Sequence, residues 1–388
     1  MNDKVTTVII GGGALGLAVA NYLLSQGRTD LVLLEKNDAF GLEQSGSNSG
    51  VIHAGFLYQT ASLMARLCVE GASLLYDFCE KHHVPHKKTG KLMVATNAEQ
   101  EKTLEEYLRR AAENGLRGVE IICGKDAKRL EPCVEAKAAL YVPRSGVFDA
   151  SFFVDSLYKR AAAKHATADM LMKSCKVVGI EAKRNYFTLD VEQARGDTQS
   201  WQLDCDILIN AAGLYCLEIA KMMDPNLPFE KQYLRGEYYQ FNSRSDLFIN
   251  RNIYPTPVLI KLPGGGQFLD LGAHLTPKVG PDGKGNTLVA KETLVGPIFT
   301  EVNDPADYRS TMDSSSFFDA VKLFFPSLKK EDLYKGHTGI LGLIKDQTDF
   351  MIYRDKRYPN CVHLLGMESP ALTASLAIAK HVVDQIIS

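Results

Sequence analysis

The sequence contains no pair of cysteines at the CxxC spacing. Its eight cysteines, Cys68, Cys79, Cys123, Cys133, Cys175, Cys205, Cys216 and Cys361, are scattered, most of them inside apolar segments. That distribution argues against a disulfide framework and against a cysteine zinc site. It reads instead as reduced, buried thiols of a reducing compartment, with no metal ligands expected. A surplus of charge is also missing. The 44 Lys and Arg residues nearly balance 46 Asp and Glu residues, for a net charge of -2, so the chain offers no electrostatic footprint for nucleic acid and no polybasic anchor. It has no apolar run of about 18 residues, and no membrane-spanning helix is expected. Repeats and low-complexity tracts are absent. The first strand is predicted to begin by about Val5, which leaves no room for a leader peptide. The expected location is cytoplasmic, or mitochondrial if a presequence has been removed.

What is present is ordinary globular material. The chain has 388 residues, 45% hydrophobic and 23% charged, enough for one large or two medium domains with full cores. "VTTVIIGGGALGLAVANYLLSQG" reads as a strand, a glycine turn and a helix over Ala14 to Gln26 capped by Gly27, and "LVLLEK" is the next strand. Apolar residues at helical spacing predict a helix from Ser62 to His82. "KLMVAT" reads as a strand, Gln100 to Asn114 as a charged helix, and Ser151 to Ala166 as a further helix. From "SCKVVGIE" onward come short β-rich pieces with Pro and Gly punctuation, including "LPGGGQ" and "VGPDGKGN" as turns, which predict an antiparallel sheet inserted into the first domain. "LTASLAIAKHVVDQII" closes the chain as a packed apolar helix. The expected architecture is α/β: a Rossmann-like nucleotide-binding domain from residues 1–90, 145–225 and 335–388, with an inserted α+β substrate domain from 91–144 and 226–334.

Gly11, Gly13 and Gly16 form GxGxxG between strand and helix. The first glycine permits the tight turn, the second lets backbone approach a pyrophosphate, and the third lets helix and strand pack closely. The helix N-terminus, through Ala14 and Leu15, faces the phosphates. Glu35 follows at the end of the second strand, where a carboxylate binds ribose hydroxyls. The plainer alternative is an unliganded tight turn with a solvated glutamate, and the full strand-turn-helix-strand-Glu context outweighs it. Gly264-Gly265-Gly266 is the only other glycine run, and no helix follows it. One fingerprint means one dinucleotide, and on that count alone both NAD and FAD remain open.

"NSGVIHAG", Asn48 to Gly55, is harder to read as scaffold. Small residues surround one histidine, His53, in a place where a nucleotide domain has no obvious need of an imidazole. Together with the fingerprint and with "GKLMVAT", "NAAGLY", "RGEYY", "LGAHLT" and "GMESPALTASLAIA" in that order, this stretch resembles the FAD-dependent L-2-hydroxyglutarate oxidase/dehydrogenase family. That family lies within the D-amino-acid oxidase-like class. The resemblance spans Thr6 to Ile387.

The resemblance implies FAD as cofactor. Gly11, Gly13, Ala14, Leu15, Gly16 and Glu35 would hold its ADP half, Lys36 would flank the ribose or adenine, and the Val177 backbone would lie beside the adenine. Ala211, Ala212 and Gly213 would lead into the cofactor cleft. Asn48, Ser49, Gly50 and Val51 would run beneath the flavin ring, and Gly339 would join them. Gly366, Met367, Ser369, Pro370, Ala371, Leu372 and Thr373 would pass the ring and open the last helix, whose positive end suits an anionic reduced flavin. The activity implied is oxidation of a 2-hydroxy acid to the 2-oxo acid, with hydride passing to flavin N5 and His53 taking the hydroxyl proton. The alternative for His53 is a buried histidine bonded to backbone. His274 in "LGAHLT" is a second catalytic candidate, weighed evenly against a structural role.

The chain also departs from the family pattern. It reads Leu341-Gly342 where the family carries Arg-Pro, the arginine that grips a substrate anion in the wider class, and it is longer over Thr287 to Val295. A dicarboxylate needs cations, so Arg235 and Arg251 are candidate replacements, with Tyr239 and Tyr254 beside them. The substrate alternatives are glycerol-3-phosphate or an amino acid, and a lapsed FAD-binding protein is a third reading. With no second fingerprint, the electron acceptor is expected to be oxygen or a quinone. "LFFPSL", Leu323 to Leu328, is the candidate surface for peripheral membrane association.

Overall fold

The computed structural model describes residues 3–164, 170–195, 197–282 and 286–385. Within them the chain forms two compact units, one from 1–46, 150–232 and 342–388, the other from 47–149 and 233–341. The expected domain boundary at residue 90 thus falls at 46. The reason is strand pairing. Val51–Ile52 pairs with Gly146–Phe148, and Lys91–Ala95 pairs with Asn252–Pro255, so the chain from 47 onward finds its partners inside the second unit.

The first unit is built on an eight-stranded sheet. Its centre is the strand Asp3–Ile10, parallel both to Leu31–Leu34 and to Asp197–Asn210, which in turn runs parallel to Cys361–Leu365. Val8, Ile9, Leu31 and Leu33 are almost fully buried, the continuous apolar signature of strands covered on both faces. The helix Ala14–Ser25 is made of small and apolar residues because it packs between two others, Ala150–Lys164 and Ala371–Gln385. Cys175–Ala182, Phe187–Arg195 and the first part of Asp197–Asn210 form an antiparallel meander on the edge of this sheet. Their residues fall within the 145–225 segment expected in the first domain, although the β-rich pieces were read as part of an inserted sheet. They stay in the first unit because the last of them continues into the parallel partner of the first strand.

The second unit holds another eight-stranded sheet, in the order Tyr334–Ile344, Lys231–Asn242, Thr287–Val302, His274–Pro281, Asn252–Pro255, Lys91–Ala95, Ala138–Val142 and Glu120–Cys123. It is antiparallel at every assigned pair except one: Asn252–Pro255 runs parallel to Lys91–Ala95. The helices Leu63–Lys81 and Ala98–Glu113 begin at Ser62 and Asn97, whose side chains accept the backbone N–H groups of Ala65 and Gln100, the expected chemistry of an N-cap. The extra length near Thr287 extends the hairpin that this strand forms with His274–Pro281.

The "LFFPSL" expectation fails. Leu323 is 71% exposed, but Phe324, Phe325 and Leu328 are buried in the core of the second unit with Phe241, Phe317 and Val321. The segment is a core edge, not an apolar surface patch. The other exposed apolar side chains in this unit include Val258, Leu259, Leu288 and Val289. Among the described residues, no helix is long and apolar enough to cross a membrane, and no group of three or more metal-ligating side chains is found. The expected end of one helix at Ala166, residues 283–285 of the "VGPDGKGN" turn, and Ile387 lie outside the described residues.

Candidate functional site

In the first unit, four parallel strands end at one edge, and each is followed by a residue singled out from the sequence. Gly11 follows Ile10, Glu35 follows Leu34, Ala211 follows Asn210 and Gly366 follows Leu365. The carboxyl edge of an open parallel sheet is where nucleotides bind in doubly wound folds. The glycine turn is sterically obligatory. Gly11 has φ +108°, and a Cβ there would lie 2.4 Å from the carbonyl oxygen of Ala211. A Cβ on Gly16 would lie 1.9 Å from the oxygen of Gly11. The helix Ala14–Ser25 starts without an acidic residue in its first turn, so no side chain there offsets the positive end that a pyrophosphate needs.

Glu35 is held at the strand end by two amides. Its Oε2 accepts Gly12 N–H at 2.7 Å and its Oε1 accepts Asn37 N–H at 2.8 Å. Burial pushes its carboxyl pKa up and the two amides oppose that. Lys36 pairs with Glu43 and lies over the ring of Tyr215, 4.4 Å from the centroid. Val177 is buried beside Val8 and Ile10. Two residues not anticipated from sequence shape the Ala211–Gly213 turn. Asn210 is fully buried. It accepts Ala212 N–H at 3.2 Å and lies 2.9 Å from His363 Nδ1. Burial lowers the His363 pKa to about 4, so its ring is a neutral structural partner. Gly366 has φ +60°, Met367 and Thr373 are buried, and the Ala371 amide donates to the Glu368 carbonyl. These residues fit the ADP portion and the closing helix of a dinucleotide site.

In the second unit, "NSGVIHAG" is a loop turned into a two-residue strand. Asn48 Oδ1 accepts Gly50 N–H at 2.9 Å, Gly50 has φ +65°, and its carbonyl accepts Phe148 N–H at 2.8 Å. Val51 and Ile52 are the buried strand residues, paired with Val147 and Gly146. Ser49 hydrogen-bonds the Tyr238 phenol, whose ring stacks on His337. A Cβ on Gly339 would lie 2.3 Å from the oxygen of Ser47, so that glycine permits a close backbone approach to this loop.

This loop delivers His53 into a cluster. His53 is buried, with its Nδ1 3.3 Å from the Tyr58 hydroxyl, and its carbonyl accepts the Cys68 thiol. Burial, then the charge of Lys91, then that of His274 hold its pKa well below the ordinary imidazole value, so the ring is neutral at physiological pH. His274 stacks on Tyr254 with centroids 3.9 Å apart, and burial lowers its pKa to about 3. Lys91 sits over the same tyrosine, its Nζ 3.5 Å from the ring centroid. Since the imidazole covers one face of that ring, the ammonium occupies the other. Lys91 was not singled out from the sequence, where "KLMVAT" reads as a strand and "GKLMVAT" counts only as one block of the family resemblance. A lone lysine in such a strand gives no sign of being 1% exposed.

The structure thus brings His53, His274 and Tyr254 together. It takes the other substrate candidates elsewhere. Arg235 donates to Asp307 at 2.9 Å and Thr311 at 2.7 Å, and lies 3.3 Å from Glu237. Arg251 donates to the Leu130 carbonyl and to the fully buried Glu131. Tyr239 donates to the Met312 carbonyl and packs on Phe317. Both arginines are already neutralised by carboxylates of their own unit, which corrects the expectation that they grip a substrate.

The sheet edge, its glycine turn and its fixed carboxylate define a dinucleotide-binding fold of the flavoprotein type. The chain belongs to the FAD dependent oxidoreductase (DAO) family, which it matches over residues 6–385, and its cofactor is FAD. It is 31% identical to the mitochondrial L-2-hydroxyglutarate dehydrogenase of Arabidopsis thaliana, over 99% of this chain and 84% of that protein. It is also 31% identical to the L-2-hydroxyglutarate dehydrogenase of Indibacter alkaliphilus, over 97% of both. Among solved structures, L-alpha-glycerophosphate oxidase from Mycoplasma pneumoniae with FAD bound superposes with a TM-score of 0.82 at 23% identity, covering 100% of this chain and 95% of that one. Glycine oxidase from Geobacillus kaustophilus gives 0.80 at 16% identity, covering 100% and 95%. At these identities the two structures speak for the fold alone.

Proposed function

We propose that the chain oxidises a 2-hydroxy acid to the 2-oxo acid, with L-2-hydroxyglutarate as substrate and 2-oxoglutarate as product. The observation that carries this reading is the buried cluster of the second unit, where a neutral imidazole, His53, lies close enough to an unpaired ammonium to feel its charge. An alcohol oxidation must remove a hydroxyl proton and a carbinol hydride, and an acid substrate brings an anion that needs a cation. Relatives named for L-2-hydroxyglutarate oxidation at 31% identity over nearly the whole chain support the choice of acid.

Bound FAD supplies the hydride acceptor at flavin N5. The residues do the rest. In the tautomer in which His53 Nδ1 donates to the Tyr58 hydroxyl, Nε2 carries the lone pair and accepts the substrate hydroxyl proton. The alcohol carbon loses its hydride as that proton leaves, and the C–O bond becomes a ketone. His274, whose Nδ1 lies 3.1 Å from the Gly272 carbonyl, presents Nε2 to the same cluster and orients the substrate. The dry surroundings of both rings keep them neutral before substrate arrives.

The test is anaerobic mixing of the yellow protein with hydroxy acids, amino acids and glycerol-3-phosphate. Bleaching of the flavin by L-2-hydroxyglutarate is the expected result. Bleaching only by glycerol-3-phosphate or an amino acid would reassign the substrate, and bleaching by none would make the chain a lapsed enzyme.

The acceptor we propose is a quinone or other diffusing carrier rather than oxygen. Leu341, standing where the wider class carries arginine, removes a positive charge that would assist superoxide formation. Turnover with a dye acceptor under nitrogen is expected to exceed turnover in air at saturating substrate, and the reverse order would make the enzyme an oxidase. We place the protein in a reducing compartment, the cytoplasm, because seven of its eight free cysteines are buried thiols.

A further inference from the structure

The main sheet of the second unit carries buried polar atoms that the fold leaves unsatisfied. Lys91 Nζ, Asn252 Oδ1, His274 Nε2 and Thr276 Oγ1 are all buried without a hydrogen-bond partner. They come from three strands far apart in sequence, and the strand register groups them. Lys91 is opposite Asn252 in the parallel pair. Ile253 is opposite Leu275 in the antiparallel pair, so one residue to either side Tyr254 opposes His274 and Asn252 opposes Thr276. Side chains alternate along a strand, so all five of these residues project from one face. Buried polar groups are nearly always paired, and a buried ammonium without a counter-charge is the costliest kind of exception. Four such atoms on one patch are the mark of a site whose ligand supplies the partners.

Among the described residues, the groups that face Lys91 supply no anion. From the loop after Val51–Ile52 comes the His53 imidazole. From the helix Leu63–Lys81 comes the Cys68 thiol, and from the neighbouring strands come the Tyr254 phenol and the His274 imidazole. The Phe56 ring lies 5.9 Å away. Burial pushes the Cys68 and Tyr254 pKa values up and the two histidines down, so all four groups stay neutral around pH 7. The same burial brings the Lys91 ammonium to a pKa of about 7.

We propose that Lys91 is the receptor for a substrate carboxylate, closing with the ligand an ion pair that the protein leaves open on the sheet face shared by Tyr254, His274, Asn252 and Thr276. The proposal rests on the hydroxy-acid reading above for the class of substrate, and it replaces the arginine clamp sought at Arg235 and Arg251. It has a second consequence. The charge of Lys91 is one of the causes that weaken His53 as a base. A carboxylate seated on Lys91 cancels part of that charge, so the proton acceptor gains strength only once the acid is in place.

The pH dependence follows with a definite sign. In the free protein Lys91 loses its proton as pH rises through about 7. In the complex the carboxylate holds that proton to higher pH. Above pH 7, binding therefore takes up a proton and weakens as pH rises, by at most tenfold per pH unit. Below pH 7 the ammonium is already formed and affinity levels off. The two histidines, the thiol and the phenol do not titrate in this window.

The experiment is calorimetric titration of the FAD-bound, oxidised protein with 2-oxoglutarate from pH 6 to 9, in two buffers of different ionisation enthalpy. The wild type is expected to take up close to one proton per ligand at pH 8.5, and none at pH 6. Lys91→Met is expected to bind about 10- to 100-fold more weakly at pH 7 and to lose the proton uptake. Lys91→Arg, which cannot deprotonate, should retain binding without the pH slope. Should Lys91→Met fail to retain FAD, the wild-type proton count decides by itself: no uptake above pH 7 overturns the proposal. Equal 2-oxoglutarate affinity and slope in wild type and Lys91→Met would also overturn it while leaving the hydroxy-acid reading intact. So would normal binding by Lys91→Met with loss of flavin reduction alone, which would make Lys91 a base. A wild type that binds no carboxylate probe at all overturns both.

Discussion

His53→Ala is expected to slow anaerobic flavin reduction by about two to four orders of magnitude, the range for losing a general base, while FAD stays bound. Geometry separates the two effects. His53 lies in the second unit, on a loop whose backbone is fixed by Asn48, Gly50 and the Val51–Ile52 pairing, none of which uses its ring. The imidazole Nδ1 lies 3.3 Å from the Tyr58 hydroxyl. Truncation therefore removes the proton acceptor and leaves the loop in place. Stopped-flow absorbance at the flavin band gives the rate, and the protein-to-flavin absorbance ratio gives occupancy. Added imidazole, which fits the vacated space, should restore part of the rate. An unchanged reduction rate would make the residue structural and sink the base assignment.

Gly16→Ala is expected to cost the protein most of its FAD. The added Cβ would stand 1.9 Å from the Gly11 carbonyl oxygen, and that neighbour is backbone with no soft side chain to yield. The helix Ala14–Ser25 must then move away from the glycine turn, and with it the helix end that meets the pyrophosphate. Forced overpacking of this kind costs about 1–3 kcal/mol or more. Charged to the bound conformation, it weakens FAD about 10- to 100-fold. Gly280→Ala is the control, since a Cβ there meets nothing within 4 Å. Fluorescence titration of the apoproteins with FAD would read both. Equal affinity for the Gly16 variant and wild type would show that the turn does not hold the cofactor.

The cofactor half of this protein was legible in the sequence because its determinants are local. The three glycines of the GxGxxG pattern, a helix of small side chains and a glutamate at the end of the next strand are set by turn sterics and strand period. The fold class, a dinucleotide site and the outlier histidine all follow from runs of a few residues, whereas the choice of FAD rests on the family resemblance. The domain boundary was less legible. The chain after residue 46 reads as a continuation of the nucleotide domain, and only the pairing of Val51–Ile52 with Gly146–Phe148 assigns it to the second unit.

The identity of the substrate cation was not legible at all. Arg235 and Arg251 are the obvious candidates by residue type, but a sequence does not show that Asp307 and Glu131 have already claimed their charge. Lys91 looks like one more strand residue until the parallel register with Asn252 and the antiparallel register beyond it place it on one face with Tyr254, His274 and Thr276. By itself the sequence determined that a dinucleotide is bound and that one histidine is out of place. Only the tertiary structure decided that the buried Lys91 has no counter-charge among the described residues, because that depends on which carboxylates the fold brings within ion-pair distance and which it keeps away.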